Sequence, residues 1–585
     1  MENTNSFIKT LFLKHATLNT SAQIISVIGP VVCGILAGKE YGSAGLAVTG
    51  LFSPLFFLAG FFGMVVANGS SAWASKYLAR DDHKSVQVIY TLALLMSVTL
   101  SLLLSGGLFF FRGSVLALVV GDGTLLPFAS AYYDYSILYV FFTVPIYMPL
   151  SWSRLAGKPG ISVMLTTVMS GVMVLGGIAL VYYTQMGVEG LALSQALATA
   201  LAFILSQAML HVGKGGLRFS HPEQVRLHIR QILVLGSPVG LSRLYRFLGI
   251  FLLNLILLNA YGSMAVAIFS MLNMLLRFIA AFVTGFSSTI IPIVGVFKEE
   301  RDTTSIRQMM KAAFLYGNTA VAAIAITLCV FHKQIAAIFG LYDATGAEIF
   351  WALVSFSVYI VFYFNVSVLV SYYTAAARVF MANVITFAGD MLFLPFLAFI
   401  LSAVLDGNLF WVHMPLAGFF TIVLVIVYNM ILLNRDRELS HLLLLDRKYE
   451  RSGKYLSFSV ANDIEKASEA SAKISDFCES NELSPKQTML IAMSIEEMLT
   501  LIINSGSLRG QTDSLSVRLF LLDGSIILRV RNNGRKFNPI AYYNENITAD
   551  IERSLDLIGM KYIVEAAEVV YYRETFGVNN LVIII

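Results

Sequence analysis

Charge is what this chain is short of: only 13% of its 585 residues are charged, whereas 57% are hydrophobic, against roughly 25% charged in soluble domains. A single globular core could not hide that much apolar surface, so one soluble domain is excluded. Cysteine is scarce too. Cys33 and Cys329 fall in apolar segments and Cys478 in the polar C-terminal part, with no CxxC pair and no His/Cys cluster. Neither a disulfide framework nor a metal site is therefore expected. A basic stripe is also missing, because the net charge of +4 is spread over short loops, which argues against a nucleic-acid partner. The N-terminus lacks a cleavable-leader pattern: the apolar run from Ser21 to Ala37 leads straight into further apolar runs and reads as a first spanning helix.

What the chain does have is apolar stretches long enough to cross a bilayer, about 20 residues each. They recur over 18–38, 45–68, 86–111, 131–151, 160–184, 188–211, 231–257, 264–294, 311–331, 347–372, 380–404 and 409–434. From Asn434 onward the sequence turns charged and mixed. The expected fold class is an all-α polytopic membrane protein of about twelve transmembrane helices, followed by a C-terminal α+β domain. Lysine and arginine concentrate on the face carrying Lys76, Arg80, Lys84, Arg154, Lys158, Arg226, Arg230, Lys298, Arg301 and Arg378, against Lys39, Arg112 and Lys333 on the other. By the positive-inside rule the first face is cytoplasmic, with both termini on that side of the cell membrane.

The chain also matches itself. YGSAGLAV at Tyr41 meets YGSMAVAI at Tyr261 after a shift of 220 residues, and the same shift aligns the charged connections ARDDHKSV from Ala79 and EERDTTSI from Glu299, and Lys158 with Arg378. Six spans per copy is an even number, so the copies are expected to be parallel repeats related by an axis along the membrane normal, with a substrate path between them. The expected divisions are 1–220 and 221–437 for the two six-helix lobes, 438–453 for a linker and 454–585 for the cytoplasmic domain. Prolines at Pro30, Pro54, Pro145, Pro149, Pro238, Pro292 and Pro395 mark candidate kinks.

The stretches VVCGILAGKEYGSAGLAVTGLFSPL (Val31–Leu55), NGSSAWASKYLARDD (Asn68–Asp82), RLAGKPGIS (Arg154–Ser162) and GVEGLALSQALA (Gly187–Ala198), with their second-half echoes, resemble the MATE family of multidrug and toxic compound extrusion transporters over nearly all of residues 15–435. The resemblance implies two six-helix lobes around a cavity that opens alternately to each side. It also implies export of a small-molecule substrate, driven by entry of a coupling ion, H⁺ or Na⁺, with membrane lipids around the bundle and no enzymatic activity. Many relatives carry an Asp where this chain has Cys33, and a thiol is largely neutral near pH 7, so the resemblance does not carry ion coupling to that position.

Ionisable groups deep in a bilayer are expensive and default to function. Arg243, Arg246, Arg277 and Asp390 sit near span centres, all in the second half, and Arg243 and Arg246, three residues apart, share a helix face. Two readings stand. Asp390 pairs with one arginine and ties the second lobe together, or three guanidiniums against one carboxylate form a cationic substrate or ion path, favouring an anionic or zwitterionic solute. The second reading keeps open a flippase for a lipid-linked anionic precursor.

In the C-terminal part, alternating runs at Tyr455–Val460, Leu515–Leu522, Ile526–Arg531, Val569–Arg573 and Asn580–Ile585 predict strands. Asp463–Glu479 and Ser484–Asn504 predict helices, the latter opened by Ser484 and Pro485. SIEEMLTLIINSG (Ser494–Gly506), VRNNGRKFNP (Val530–Pro539), DLIGMKYIVEAAEVVYYR (Asp556–Arg573) and the closing NNLVIII resemble the GHKL ATPase domains of anti-sigma-factor serine kinases. That family needs an Asn for Mg²⁺, an Asp reading adenine and a glycine pair near the phosphates. Glu497 keeps its acidic position, but Leu501 stands where the Asn belongs, Asn532 replaces the Asp next to Gly534, and only Gly559 remains of the pair. The expectation is a degenerate domain without ATP or Mg²⁺ as cofactor that binds a regulatory protein partner. A membrane sensor signalling through this domain is the remaining alternative.

Overall fold

The computed structural model describes residues 2–585 apart from 79–81, 121–124, 156–157, 185, 212–217, 222–223, 300–302, 343, 345, 406, 437–438, 441–442, 447–453, 506–513, 523–524, 533, 547–557 and 576–577. Parts of both charged connections expected at Ala79 and Glu299, and Leu557, lie outside the described residues. Ten helices among those described are long and apolar enough to cross a membrane, and two of them are long enough to do so twice, which gives twelve crossings. In lipid a backbone N–H or C=O has no water to bond, so a spanning segment closes its bonds within a helix.

The first two crossings, and the seventh and eighth, are separate helices as expected, each pair meeting at a one-residue kink rather than at a longer loop. Within α1, Glu2–Leu78, the helix is interrupted between the expected spans at Gly42, where φ is 61° and the backbone leaves the helical region. Likewise α7 runs Val225–Ser288 with its break at Gly262, φ 78°. A side chain at positive φ is strained, and glycine carries none. These two glycines are 220 residues apart, as are many element boundaries: α2 (His83–Phe110) and α9 (Thr303–Val330), the starts of α3 (Arg112–Val120) and α10 (His332–Ile338), and α4 (Leu126–Leu155) and α11 (Gly346–Ala375). Short helices α3 and α10 were not expected from the sequence. The remaining spans are α5 (Pro159–Tyr182), α6 (Glu189–His211), and α14 (His413–Arg435) after one 3₁₀ turn. Contacts between the copies come in exchanged pairs. A Cβ on Gly240 would meet Val65 Cγ2 at 2.3 Å, and one on Gly285, which is 65 plus the shift, would meet Thr20 Cα at 2.4 Å, which is 240 minus it. Gly50 packs directly on its own counterpart, Ser270. Such reciprocity is what a two-fold rotation produces.

The counterparts differ most in the eleventh crossing. Where α5 is regular, the eleventh crossing is α12 (Val379–Phe387), a π-helical turn Ala388–Phe393, and α13 (Leu394–Ser402) with Pro395 in its first turn. Proline lacks the N–H and its ring clashes with the carbonyl four residues back, here Met391. The widened turn before it relieves that clash. The first half has Leu175 at this position. Helix α7 crosses the π turn in close contact, since a Cβ on Gly249 would lie 1.9 Å from the Asp390 carbonyl oxygen. The matching crossing of Gly29 on Ser170 is looser, at 3.0 Å.

The chain divides into two compact units, Thr17–Ser288 with Leu315–Val425, and Met1–Ala16 with Thr289–Phe314 and Ile426–Ile585. The second holds a small ribbon, β1 (Leu439–Ser440) with β2 (Leu445–Asp446), inside the stretch expected as a linker. It also holds a five-stranded antiparallel sheet ordered β3 (Lys454–Ala461), β4 (Ser514–Leu522), β5 (Ser525–Asn532), β7 (Val578–Ile584), β6 (Val569–Thr575). Inward residues Leu515, Val517, Leu519, Leu528, Val530, Leu581 and Ile583 pack on helices Glu465–Ser480 and Pro485–Asn504. Ser484 caps the second helix reciprocally with Gln487. A further helix, Pro539–Asn546, lies where a loop was expected. The other sheet face is buried as well: Arg518, Arg529 and Arg531 are 2%, 4% and 3% exposed. Arg518 donates to Ser305 Oγ at the start of α9, and Arg531 lies 4.9 Å over the ring of Phe297 in α8 (Ile290–Glu299).

Gly249→Ala is expected to wedge α7 off the π turn and cost about 1–3 kcal/mol as overpacking, read as a lowered unfolding temperature of the purified protein. Gly171→Ala, with nothing within 4 Å of the added carbon, is expected to leave it unchanged.

Candidate functional site

The π turn and α7 bring three of the four expected charges together. Arg246 Nη2 lies 3.6 Å from Asp390 Oδ1, with both side chains about one-fifth exposed, and donates to Tyr363 Oη at 3.4 Å. Arg243, one turn earlier on the same face of α7, lines the same cavity of about 350 Å³ with Arg246, Asp390, Tyr359 and Tyr363. Half of its lining residues carry a hydroxyl, among them Ser287, Ser367, Thr386 and Thr421. The cavity extends from the π turn toward the basic end of the bundle, where α11 finishes and α12 begins.

Arg277 does not line it. Its guanidinium lies 5.8 Å from the ring centre of Phe57, and Arg246 stands 6.0 Å from the same ring. Phe57 belongs to the first copy and is the 220-residue counterpart of Arg277, so one aromatic ring from the first copy is approached by two cations of the second. A ring face attracts a cation through its quadrupole, more strongly where water is scarce. Sequence reasoning passed over Phe57 as one phenylalanine among 42, although the repeat shift applied to Arg277 points to it. Tyr359 and Tyr363 carried no such signal.

At the position where relatives carry an Asp, Cys33 is 2% exposed and its thiol lies 3.6 Å from the Met173 carbonyl oxygen, to which it donates. Ser194 and Gln195 lie beside the thiol.

In the C-terminal unit, Glu497 lies on helix Pro485–Asn504, and burial together with neighbouring Glu496 raises its pKa. Leu501 packs on the hydrophobic core. Asn532, 3% exposed, accepts from Gly534 N–H at 3.0 Å and from Asn579 Nδ2 at 2.8 Å. Asn579 in turn accepts from the Tyr572 hydroxyl at 2.6 Å. The oxygen that could face a ligand is thus taken up inside the sheet. Gly559 sits in the first turn of helix Ile558–Ala566.

The family model described as MatE matches residues 21–182. Among characterised proteins the chain is similar to the multidrug export protein MepA of Staphylococcus haemolyticus, 21% identical over 275 residues, which are 47% of this chain and 61% of that protein. The chain thus spans about 61% of that relative's length. Among solved structures it is similar to the inward-facing conformation of a multidrug resistance MATE family transporter of the MOP superfamily, with TM-score 0.66 and 17% identity over 72% of this chain and 98% of that one. The outward-facing conformation of such a transporter gives 0.58 and 16% over 73% and 96%. A Pyrococcus furiosus MOP superfamily transporter, described as having a binding pocket of reverse polarity that suggests a different function, gives the same four values. The membrane portion therefore has the MATE transporter fold in a multi-pass membrane protein, and proteins of that family are transporters rather than enzymes.

Phe57→Leu is expected to remove both ring contacts at a cost of about 0.5–2 kcal/mol, and Phe57→Tyr to retain most of that stability. Thermal unfolding of the two purified variants beside the parent checks it.

Proposed function

We propose that the chain is a secondary active transporter of the MATE type, exporting a small organic solute by alternating access in exchange for H⁺ or Na⁺. The observation that supports this most is the polar, charged cavity beside a π turn within a duplicated bundle of spanning helices, because a purely structural bundle gains nothing from burying guanidiniums. Both termini lie on the cytoplasmic side of the cell membrane in this reading, where lysine and arginine concentrate. The similarity to a multidrug export protein supports outward movement. Asp390, the carboxylate lining the cavity, is the group through which an entering cation competes with Arg246. The P. furiosus neighbour, with its pocket of reverse polarity, supports a cavity whose sign differs from that of an exporter of cationic drugs.

The C-terminal sheet and its helices serve in this reading as a GHKL-like regulatory domain that has lost nucleotide chemistry. Leu501 offers no oxygen to Mg²⁺, and Asn532 has its oxygen committed to Gly534 and Asn579. Regulation is favoured by the second sheet face, whose arginines meet the ends of α8 and α9: a partner protein that shifted this sheet would pull on two spanning helices.

Flux tests the transport reading. In proteoliposomes holding the full chain, an imposed proton or sodium gradient is expected to drive solute uptake or release that collapses with the gradient. Arg246→Ala is expected to lower that flux more than tenfold. Absence of gradient-driven flux across a panel of anionic and cationic solutes would overturn it. For the C-terminal unit, titrating the full chain with Mg-ATP is expected to show no saturable binding below the millimolar range, and micromolar binding would contradict the loss of nucleotide chemistry.

A further inference from the structure

The cavity's charges do not cancel. Asp390 answers Arg246 at 3.6 Å, whereas Arg243, facing the same space from one turn away, has no ion-pair partner among the described residues. Arg277 adds a further positive charge 5.8 Å from the Phe57 ring centre. A guanidinium inside a bilayer is costly unless a counter-charge or water meets it. One carboxylate cannot meet three. The rest of the wall is rich in hydroxyls, Ser287, Ser367, Thr386 and Thr421 among them. Hydroxyls donate to anionic oxygens and also bond a hydroxylated body. Two guanidiniums one turn apart on a helix present forked donors spaced for the oxygens of one phosphate or carboxylate.

We infer that the cavity binds a small hydroxylated oxyanion, a phosphate monoester or carboxylate, whose charged group is held between Arg243 and Arg246. This names the solute class of the site proposed above and rests on that reading for transport, though not for binding. Asp390 then opposes the solute: it occupies Arg246 when the site is empty and gives that guanidinium up when the anion enters. A cation site would have the reverse logic, with Asp390 as the ligand and the arginines as the opposing charges.

The test is equilibrium binding to the detergent-purified full chain, which needs no membrane gradient, with glucose 6-phosphate, dioctanoyl phosphatidic acid and ethidium as probes. Glucose 6-phosphate is expected to bind. Arg243→Gln is expected to weaken it at least tenfold, and Arg243→Lys to recover only part of that loss, because an ammonium keeps the charge but lacks the forked donors. Asp390→Asn is expected to tighten it severalfold, an effect in the opposite direction from simple damage to the fold. Binding of phosphatidic acid alone with the same dependence on Arg243 and Asp390 upholds the oxyanion site and assigns its solute to lipid. Ethidium binding that Asp390→Asn abolishes overturns it, as does anion binding indifferent to Arg243→Gln, or no anion binding at 10 mM, a concentration about a hundredfold above a 0.1 mM Kd. Oxyanion binding without gradient-driven flux leaves this inference standing and removes the transport reading; ethidium flux that requires Asp390 does the reverse.

Discussion

The crossing of α7 over the π turn is the contact on which the rest of the membrane portion depends. Gly249 lets the α7 backbone come against the Asp390 carbonyl, and that closeness sets Arg246, three residues earlier, within 3.6 Å of the Asp390 carboxylate. In hydrocarbon neither charge could be held alone. The widened turn follows from Pro395, and the cavity follows from the turn, because a regular helix there would carry residue 390 at a different angle and leave no pair to frame the space. Proline, glycine and the two charges form one device.

Duplication makes the device visible by contrast. Shifted by 220 residues, Gly249 becomes Gly29, Asp390 becomes Ser170, Arg246 becomes Ser26, Arg243 becomes Gln23 and Pro395 becomes Leu175. The first copy keeps the crossing and drops the charge: Ser170 donates to the Ile25 carbonyl at 2.9 Å, a neutral bond between the same two helices. Both copies thus retain the scaffold, broken at Gly42 and Gly262, while the ionisable chemistry is confined to the second. The first copy contributes Phe57, an uncharged ring within 6.0 Å of both Arg246 and Arg277.

Much of this was legible in the sequence. Apolar length gave the crossings because a bilayer imposes it, and strict alternation gave the five C-terminal strands to within two residues at either end. What could not be read was of two kinds. The breaks at Gly42 and Gly262 were expected but their tightness was not, since a short polar connection containing glycine reads as a loop even where two helices meet at one residue. The π turn also escaped, because a proline inside an apolar run signals a kink without saying how the freed backbone groups re-pair. Among site residues, charge was conspicuous and its neighbours were not: Arg246 and Asp390 stand out in any lipid segment, whereas Tyr363 and Phe57 look like ordinary filling until the structure sets them beside a guanidinium. The buried arginines of β4 and β5 show the same limit, since only the presence of α8 and α9 on that sheet face explains why Arg518 and Arg531 are covered.

Alternating access, as proposed, has the two copies move against each other about the axis relating them. Spin labels at Gly160 and Phe380, counterparts exposed at the same end of the bundle, report the separation of the copies there by pulsed electron spin resonance, and a pair at Ser75 and Gly160 reports the first copy alone. In lipid nanodiscs the first distance is predicted to fall into two populations whose ratio changes with proton or sodium concentration, while the second stays single. One unchanging distance between the copies under every condition would contradict alternating access.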